Sequence, residues 1–266
     1  MTNRLMPWAL FALTFLLFVF SSALFGALLP RQLAIIAVEL TAFLGTALFF
    51  RRVRPEPPEG WPTALALRLP VWAVLALPAV AVVLGVTSNF MAGLIAQLVP
   101  GMDEVVRQYT EQLSAMLDVE DPLLATTAIL SVTVFAPLCE EFLFRGALLP
   151  SMMRHEGASA AIVLNGLLFG LIHMNPVSFL PLSLLGMFFA HLTVRTGSIW
   201  PAVLAHVSVN TFNGVVLRSA FPELSDPNAE PELWVLAVGC VVGAGLSALA
   251  WWVLLGALGR PHRTTP

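Results

Sequence analysis

The stretch PLLATTAILSVTVFAPLCEEFLFRGALLP, residues 122–150, is apolar enough along most of its length to cross a bilayer, yet it carries Glu140, Glu141 and Arg145. A charge at the centre of a spanning helix costs at least about 2.5–3.5 kcal/mol, so such residues face a protein or water-filled interior and mark a working site. Residues four apart share a helix face, whereas neighbours diverge by about 100°. Glu141 can therefore pair with Arg145, which leaves Glu140 facing elsewhere without a partner from its own helix. A carboxylate placed in that way suits general acid or base work. Pro137, just upstream, is expected to distort the helix and open room for water near the carboxylates.

Working outward, the 266-residue chain is 58% hydrophobic and only 11% charged, with a mean hydropathy of +0.86. That composition excludes an ordinary soluble domain. The expected fold is all-α, a polytopic membrane bundle of about eight helices around a polar cavity. Taking about 20 apolar residues per span, the punctuation divides the chain near 8–29, 33–50, 70–98, 123–150, 158–174, 178–195, 199–217 and 233–257. By region, 1–122 supplies N-terminal helices and an acidic loop, 123–218 the core that holds the motifs, and 219–266 a second loop, a last span and a short tail.

All thirteen basic residues are arginines. With the N-terminus cytoplasmic, nine of them (4, 51, 52, 54, 68, 154, 195, 260 and 263) fall inside, whereas Arg31, Arg107 and Arg218 fall outside. Eight spans with both termini cytoplasmic satisfy the positive-inside rule, and a prokaryotic chain of this kind would sit in the cell membrane. The first apolar stretch reads as a span rather than a cleaved signal, because its removal upsets that bias. The acidic segment from Asp103 to Asp121 is expected to form a surface helix. Cys139 and Cys240 lie in different spans, which speaks against a disulfide framework. No phosphate-binding glycine loop and no basic aromatic surface is present, so the expected partners are lipid and a peptide, with no nucleic acid.

Two further segments carry polar groups in apolar surroundings. In LNGLLFGLIHMNP, Asn165 precedes Phe169 and His173, which are four apart, so ring and imidazole can pack together; Asn175-Pro176 is expected to end that helix. In HVSVNTFNG, His206, Asn210 and Asn213 recur at intervals of four and three as one polar stripe. Interhelical hydrogen bonding is the plainer use of such asparagines. His191 reads as structural, His155 and His262 as loop residues, and Glu39 as an unassigned carboxylate in the second span. Counting about 1.5 Å per residue from the cytoplasmic ends puts His206, Asn210, Glu140 and His173 at roughly 10–23 Å, deep enough to converge in one cavity. A carboxylate, two imidazoles and an amide there are the parts needed to activate water and hold an oxyanion during amide hydrolysis.

The motifs Glu140-Glu141-x-x-x-Arg145, Phe169-x-x-x-His173 and His206-x-x-x-Asn210, in this order, resemble the CPBP family of intramembrane proteases, which includes the Rce1-type CAAX prenyl endopeptidases and many bacterial Abi proteins. The resemblance covers roughly residues 123–218. Val207 departs from the alanine often found after the motif histidine. The resemblance implies that Glu140 and His173 activate the attacking water and that His206 and Asn210 hold the oxyanion, with Glu141 and Arg145 orienting the site and Phe169 and Asn213 in support. It implies as substrate a membrane-associated or prenylated peptide or protein. Members are often labelled metalloproteases. A metal-independent glutamate mechanism needing no cofactor is the expectation, and zinc held by Glu140, His173 and His206 is the alternative, in a chain with no HExxH helix. Two readings from other classes use the same cavity without hydrolysis: a membrane scaffold or bacteriocin-immunity protein, and a proton-coupled transporter.

Overall fold

The computed structural model describes residues 4–53, 71–220 and 231–258, and among them all regular structure is helical. Arg54, Arg68, Arg260, His262, Arg263, most of the Pro-rich linker and the acidic stretch that begins at Glu223 lie outside the described residues. In chain order the helices are α1 (Met6–Leu28), α2 (Arg31–Val53), α3 (Val71–Leu98) and α4 (Met102–Leu117). They continue with α5 (122–156), α6 (158–172), α7 (Phe179–Thr196), α8 (200–220) and α9 (Leu233–Leu258).

By length and composition, six helices among the described residues can cross a membrane. One of them is the 51-residue run Pro122–Ile172. It breaks at Gly157, whose φ of 76° and ψ of 165° no helix accommodates, and so divides into α5 and α6. Only glycine adopts that conformation without strain. The division expected between residues 150 and 158 therefore rests on a single glycine rather than on a loop, and His155 sits in the last turn of α5. The helix 200–220, expected as a span, falls outside those six although it is long enough, because the polar side chains of His206, Asn210 and Asn213 lower its hydropathy. The chain is a helical, multi-pass integral membrane protein.

Among the described residues, three helices contain four wider π turns: Glu39–Leu44 in α2, Ser131–Phe135 and Phe144–Leu148 in α5, and Phe212–Leu217 in α8. Each inserts an extra residue into the α ladder, which turns the downstream face by about 100°. Local chemistry starts α5 cleanly. Asp121 caps its N-terminus by accepting from the Leu123 and Leu124 N–H groups at 2.8 and 3.0 Å, and Pro122 occupies the first helical position.

The expected surface helix is α4. Gly101, at φ 80°, turns the chain into it. Its far end is tied to the bundle by Arg218 through Asp118 at 2.7 Å and Ser114 at 3.2 Å, and by Gln32, which donates to the Met116 carbonyl at 3.2 Å. The start of α2, the end of α8 and α4 therefore share one end of the bundle. That places Arg31, Arg107 and Arg218 together, in the grouping that the charge pattern of the sequence anticipates.

Helices α6 and α7 cross closely because they are notched. A Cβ on Gly170 would lie 2.5 Å from the Phe179 carbonyl oxygen, and one on Gly166 would lie 2.6 Å from that of Ser183. Small residues spaced four apart let membrane helices approach backbone to backbone. This crossing sets the Phe169 and His173 face of α6 against the middle of α7.

Candidate active site

Arg145 is the largest side chain that is wholly buried. Its Nη1 donates to Glu141 Oε1 at 2.9 Å, one helical turn back, and its Nη2 donates to the Gly186 carbonyl of α7 at 2.8 Å. The guanidinium also lies over the Phe169 ring, 4.6 Å from its centroid, and within 5.6 Å of those of Phe144 and Phe189. A planar cation enclosed by ring faces and two acceptors keeps a charge in hydrocarbon at tolerable cost.

The same oxygen of Glu141 accepts from His206 Nδ1 at 2.9 Å. That bond fixes the tautomer, because a carboxylate can only accept and so Nδ1 carries the hydrogen. Phe189 stacks on the His206 ring at 4.9 Å and Phe169 meets it edge-on at 5.5 Å. The imidazole is thus held on three sides with its Nε2 edge left over.

Glu140 points away from this network. It is buried, and its Oε2 has no hydrogen-bond partner within the protein. His173 Nε2 lies 4.0 Å from that oxygen. The His173 Nδ1 is bonded to the Phe169 carbonyl at 2.8 Å, so it too carries the hydrogen, and Nε2 of the neutral ring is an acceptor. His173 is not inside α6 but ends it: the helix stops at Ile172, Met174 takes a φ of 50°, and Asn175 accepts from the Val177 and Ser178 N–H groups to start the next turn.

Two asparagines bracket the carboxylate segment Ala136–Leu143. Asn210 donates to the Val132 carbonyl at 2.9 Å, and Asn165 donates to the Phe144 carbonyl at 2.9 Å. The first contact follows from the local sequence. In the π turn the Ala136 N–H goes to Ser131, and Pro137 has no N–H to offer, so Val132 is left an acceptor without a donor. Asn210 supplies one, and its amide carries a second N–H. Phe144, in the other π turn, accepts from the Leu149 N–H and from Asn165.

Six of the sequence-derived residues (Glu140, Glu141, Arg145, Phe169, His173 and His206) are thereby joined by direct contacts or a 4.0 Å approach, and Asn210 is tied to the same segment of α5. Asn213 is not part of this set. The π turn that begins at Phe212 turns it toward α3, where it accepts from Asn89 at 3.0 Å. The residues that sequence reasoning left without a role are Asn165, Phe189 and Glu39. Asn165 was visible one turn before Phe169, whereas Phe189 sits in an apolar run without any local signal.

Among the described residues, no three His, Cys, Asp or Glu side chains are arranged to hold a metal ion. His206 directs Nδ1 at Glu141 rather than joining Glu140 and His173 around a common point. The residues as arranged do not fit zinc.

Residues 122–212 match the family described as type II CAAX prenyl endopeptidase Rce1-like. That stretch contains every residue of the network just described, and the resemblance to the CPBP family read from the motifs stands. A Bacillus subtilis (strain 168) protein named "Putative membrane peptidase YdiL" is 27% identical over 136 residues, covering 49% of this chain and 54% of that protein. The chain thus spans about half the length of the curated relative it matches. No solved structure matches it.

Proposed function

We propose that this protein is an intramembrane endopeptidase that hydrolyses a peptide bond in a membrane-associated or lipidated substrate, using Glu140 as the base and no metal. The observation that carries the reading is the division of labour between adjacent carboxylates: Glu141 is bonded through Oε1 to both Arg145 and His206, whereas the unpartnered Oε2 of Glu140 lies 4.0 Å from a histidine acceptor. A water molecule between Glu140 Oε2 and His173 Nε2 can donate one hydrogen to each, which aims its lone pair at a substrate carbonyl. Attack forms the new C–O bond as Glu140 takes the proton. His206 Nε2 and the second N–H of Asn210 stabilise the oxyanion. For His206 to donate from Nε2 it must be the imidazolium, and Glu141 is its counter-ion. The set Glu140, Glu141, Arg145 and His206 then sums to zero charge. Collapse of the intermediate breaks the C–N bond, and Glu140 returns its proton to the leaving amine.

Detergent-purified wild type and Glu140→Gln are compared on quenched fluorescent peptides, farnesylated CAAX and unlipidated, with and without chelator. Cleavage by wild type alone, insensitive to exhaustive chelation, is expected. Equal cleavage by Glu140→Gln removes the base, and activity restored only by zinc removes the metal-free mechanism. Well-folded wild type inert on every peptide, with a cellular phenotype untouched by Glu140→Gln, points to a scaffold that uses the cavity for binding.

A further inference from the structure

A third carboxylate belongs to this site and comes from outside the Rce1-like stretch. Glu39 is buried at the start of the π turn Glu39–Leu44 in α2, and its Oε2 has no hydrogen-bond partner. That turn packs directly against Ala136–Leu143, where Ala42 and Phe43 share the buried core with Cys139 and Leu143. Glu39 lies within electrostatic reach of both Cys139 and Glu140. A lone carboxylate in that position would be an unpaired charge in hydrocarbon, and an unsatisfied buried polar group is costly.

Among the described residues, none of the ion pairs at the site involves Glu39. Arg145 is engaged by Glu141 and Gly186, and His206 by Glu141. Between α2 and α5 the titratable neighbours of Glu39 are Cys139 and Glu140. Unpartnered carboxyl oxygens therefore occur on both packed segments, one on Glu39 and one each on Glu140 and Glu141, and of these three groups Glu141 alone has its other oxygen bonded to Arg145 and His206. Two carboxyl groups that cannot both ionise resolve the conflict by holding one proton between them.

We propose that Glu39 is a positioning residue for Glu140, the two carboxyl groups sharing a single proton across the interface between α2 and α5. In this arrangement Glu39 donates its O–H to Glu140 Oε1, directly or through one water, and so fixes the rotamer of the base while leaving Oε2 for the attacking water. A carboxylic acid kept neutral in an apolar site so that it can donate is an established device in enzymes. The N-terminal helices are then part of the working site rather than a membrane anchor beside it. The inference rests on the reading of Glu140 as the base.

Glutamine tests the idea because its amide keeps the length and the donor of a protonated glutamate, whereas leucine keeps only the bulk. On the quenched peptides, Glu39→Gln is expected to hold kcat within about threefold of wild type, and Glu39→Leu to lower it by about tenfold or more at unchanged KM. Infrared spectra of the wild type at neutral pH should show a carboxylic-acid C=O stretch that Glu39→Gln removes. That signature does not depend on turnover or on the leucine variant folding. Full kcat in a folded Glu39→Leu overturns the proposal, as does a Glu39→Gln that falls as far as leucine, or wild type lacking the infrared band. Cleavage by Glu140→Gln instead overturns the assignment of the base, and the kinetic role of Glu39 with it.

Discussion

Two arginine–glutamate pairs with the same four-residue spacing behave as opposites in this molecule. On α4, Arg107 meets Glu111 at 2.7 Å with both side chains nearly half exposed. On α5, Arg145 meets Glu141 at 2.9 Å with both at 0% exposure. The first pair, joined by Glu104, is screened by water and contributes little whatever its geometry. The second cannot be replaced by solvent, so each group needs the other and every remaining lone pair matters. Spacing makes a pair possible, and the surrounding medium decides what the pair is worth.

The same contrast separates the site from the rim. Helix α9 shows lipid Val241 and Trp252, each more than 70% exposed, and its polar link to α3 is the hydroxyl contact between Ser247 and Thr87 at 3.2 Å. The centre of the molecule is charged and its periphery apolar, the reverse of a soluble domain.

The contrast is broken most severely at Glu140. Glu140→Gln, which removes the base but leaves the Glu141 pair intact, should lower kcat by roughly 10²–10⁴-fold with an unchanged melting midpoint. Next comes Arg145→Met. It leaves the buried Glu141 with His206 alone and should cost about 3–5 kcal/mol in chemical or thermal unfolding. Asn165→Leu sharpens the comparison by deleting a neutral contact: kcat should fall by about tenfold with KM held, and the His206 ring NMR signals should shift because Phe144 and Arg145 are neighbours in one turn. Arg107→Ala, the exposed counterpart of Arg145→Met, should leave the melting midpoint where it was.

The smallest effect is on pH dependence at α4. The Arg107 guanidinium, followed by the Gln108 amide, holds the Glu104 carboxyl below its usual range. A carboxyl lowered by folding adds stability that is present above its unfolded value and lost as pH falls through the folded one. Acidification should therefore loosen α4, seen as faster amide exchange there in wild type, and the acid-dependent part of that loosening should vanish in Arg107→Ala.

Much of the fold was legible because hydrocarbon imposes simple demands. Each expected apolar stretch is helical in the structure, and α4 lies where the acidic, amphipathic pattern placed it. Contacts within one helix were legible too: Glu141 with Arg145, and Phe169 beside His173 at 5.0 Å. The stripe formed by His206, Asn210 and Asn213 was read too far. Its last member lies beyond the start of a π turn, and an extra residue there rotates Asn213 onto α3. Glu39 was visible but uninterpretable, since nothing within its own span says what faces it.

Composition and spacing alone thus determined that this chain lives in a membrane, that Glu140 and Glu141 diverge, and which motif family they resemble. Those properties follow from the bilayer's thickness and the helix's period, both local and regular. Only the tertiary structure decided that His206 leans on Glu141, that Gly186 receives Arg145, that asparagines from α6 and α8 clamp α5, and that α2 brings a further carboxylate to Glu140. These contacts join residues from 21 to about 100 positions apart. They depend on helix crossings, on the break at Gly157 and on π turns that reset which face of each helix looks inward, and no periodic pattern carries that information.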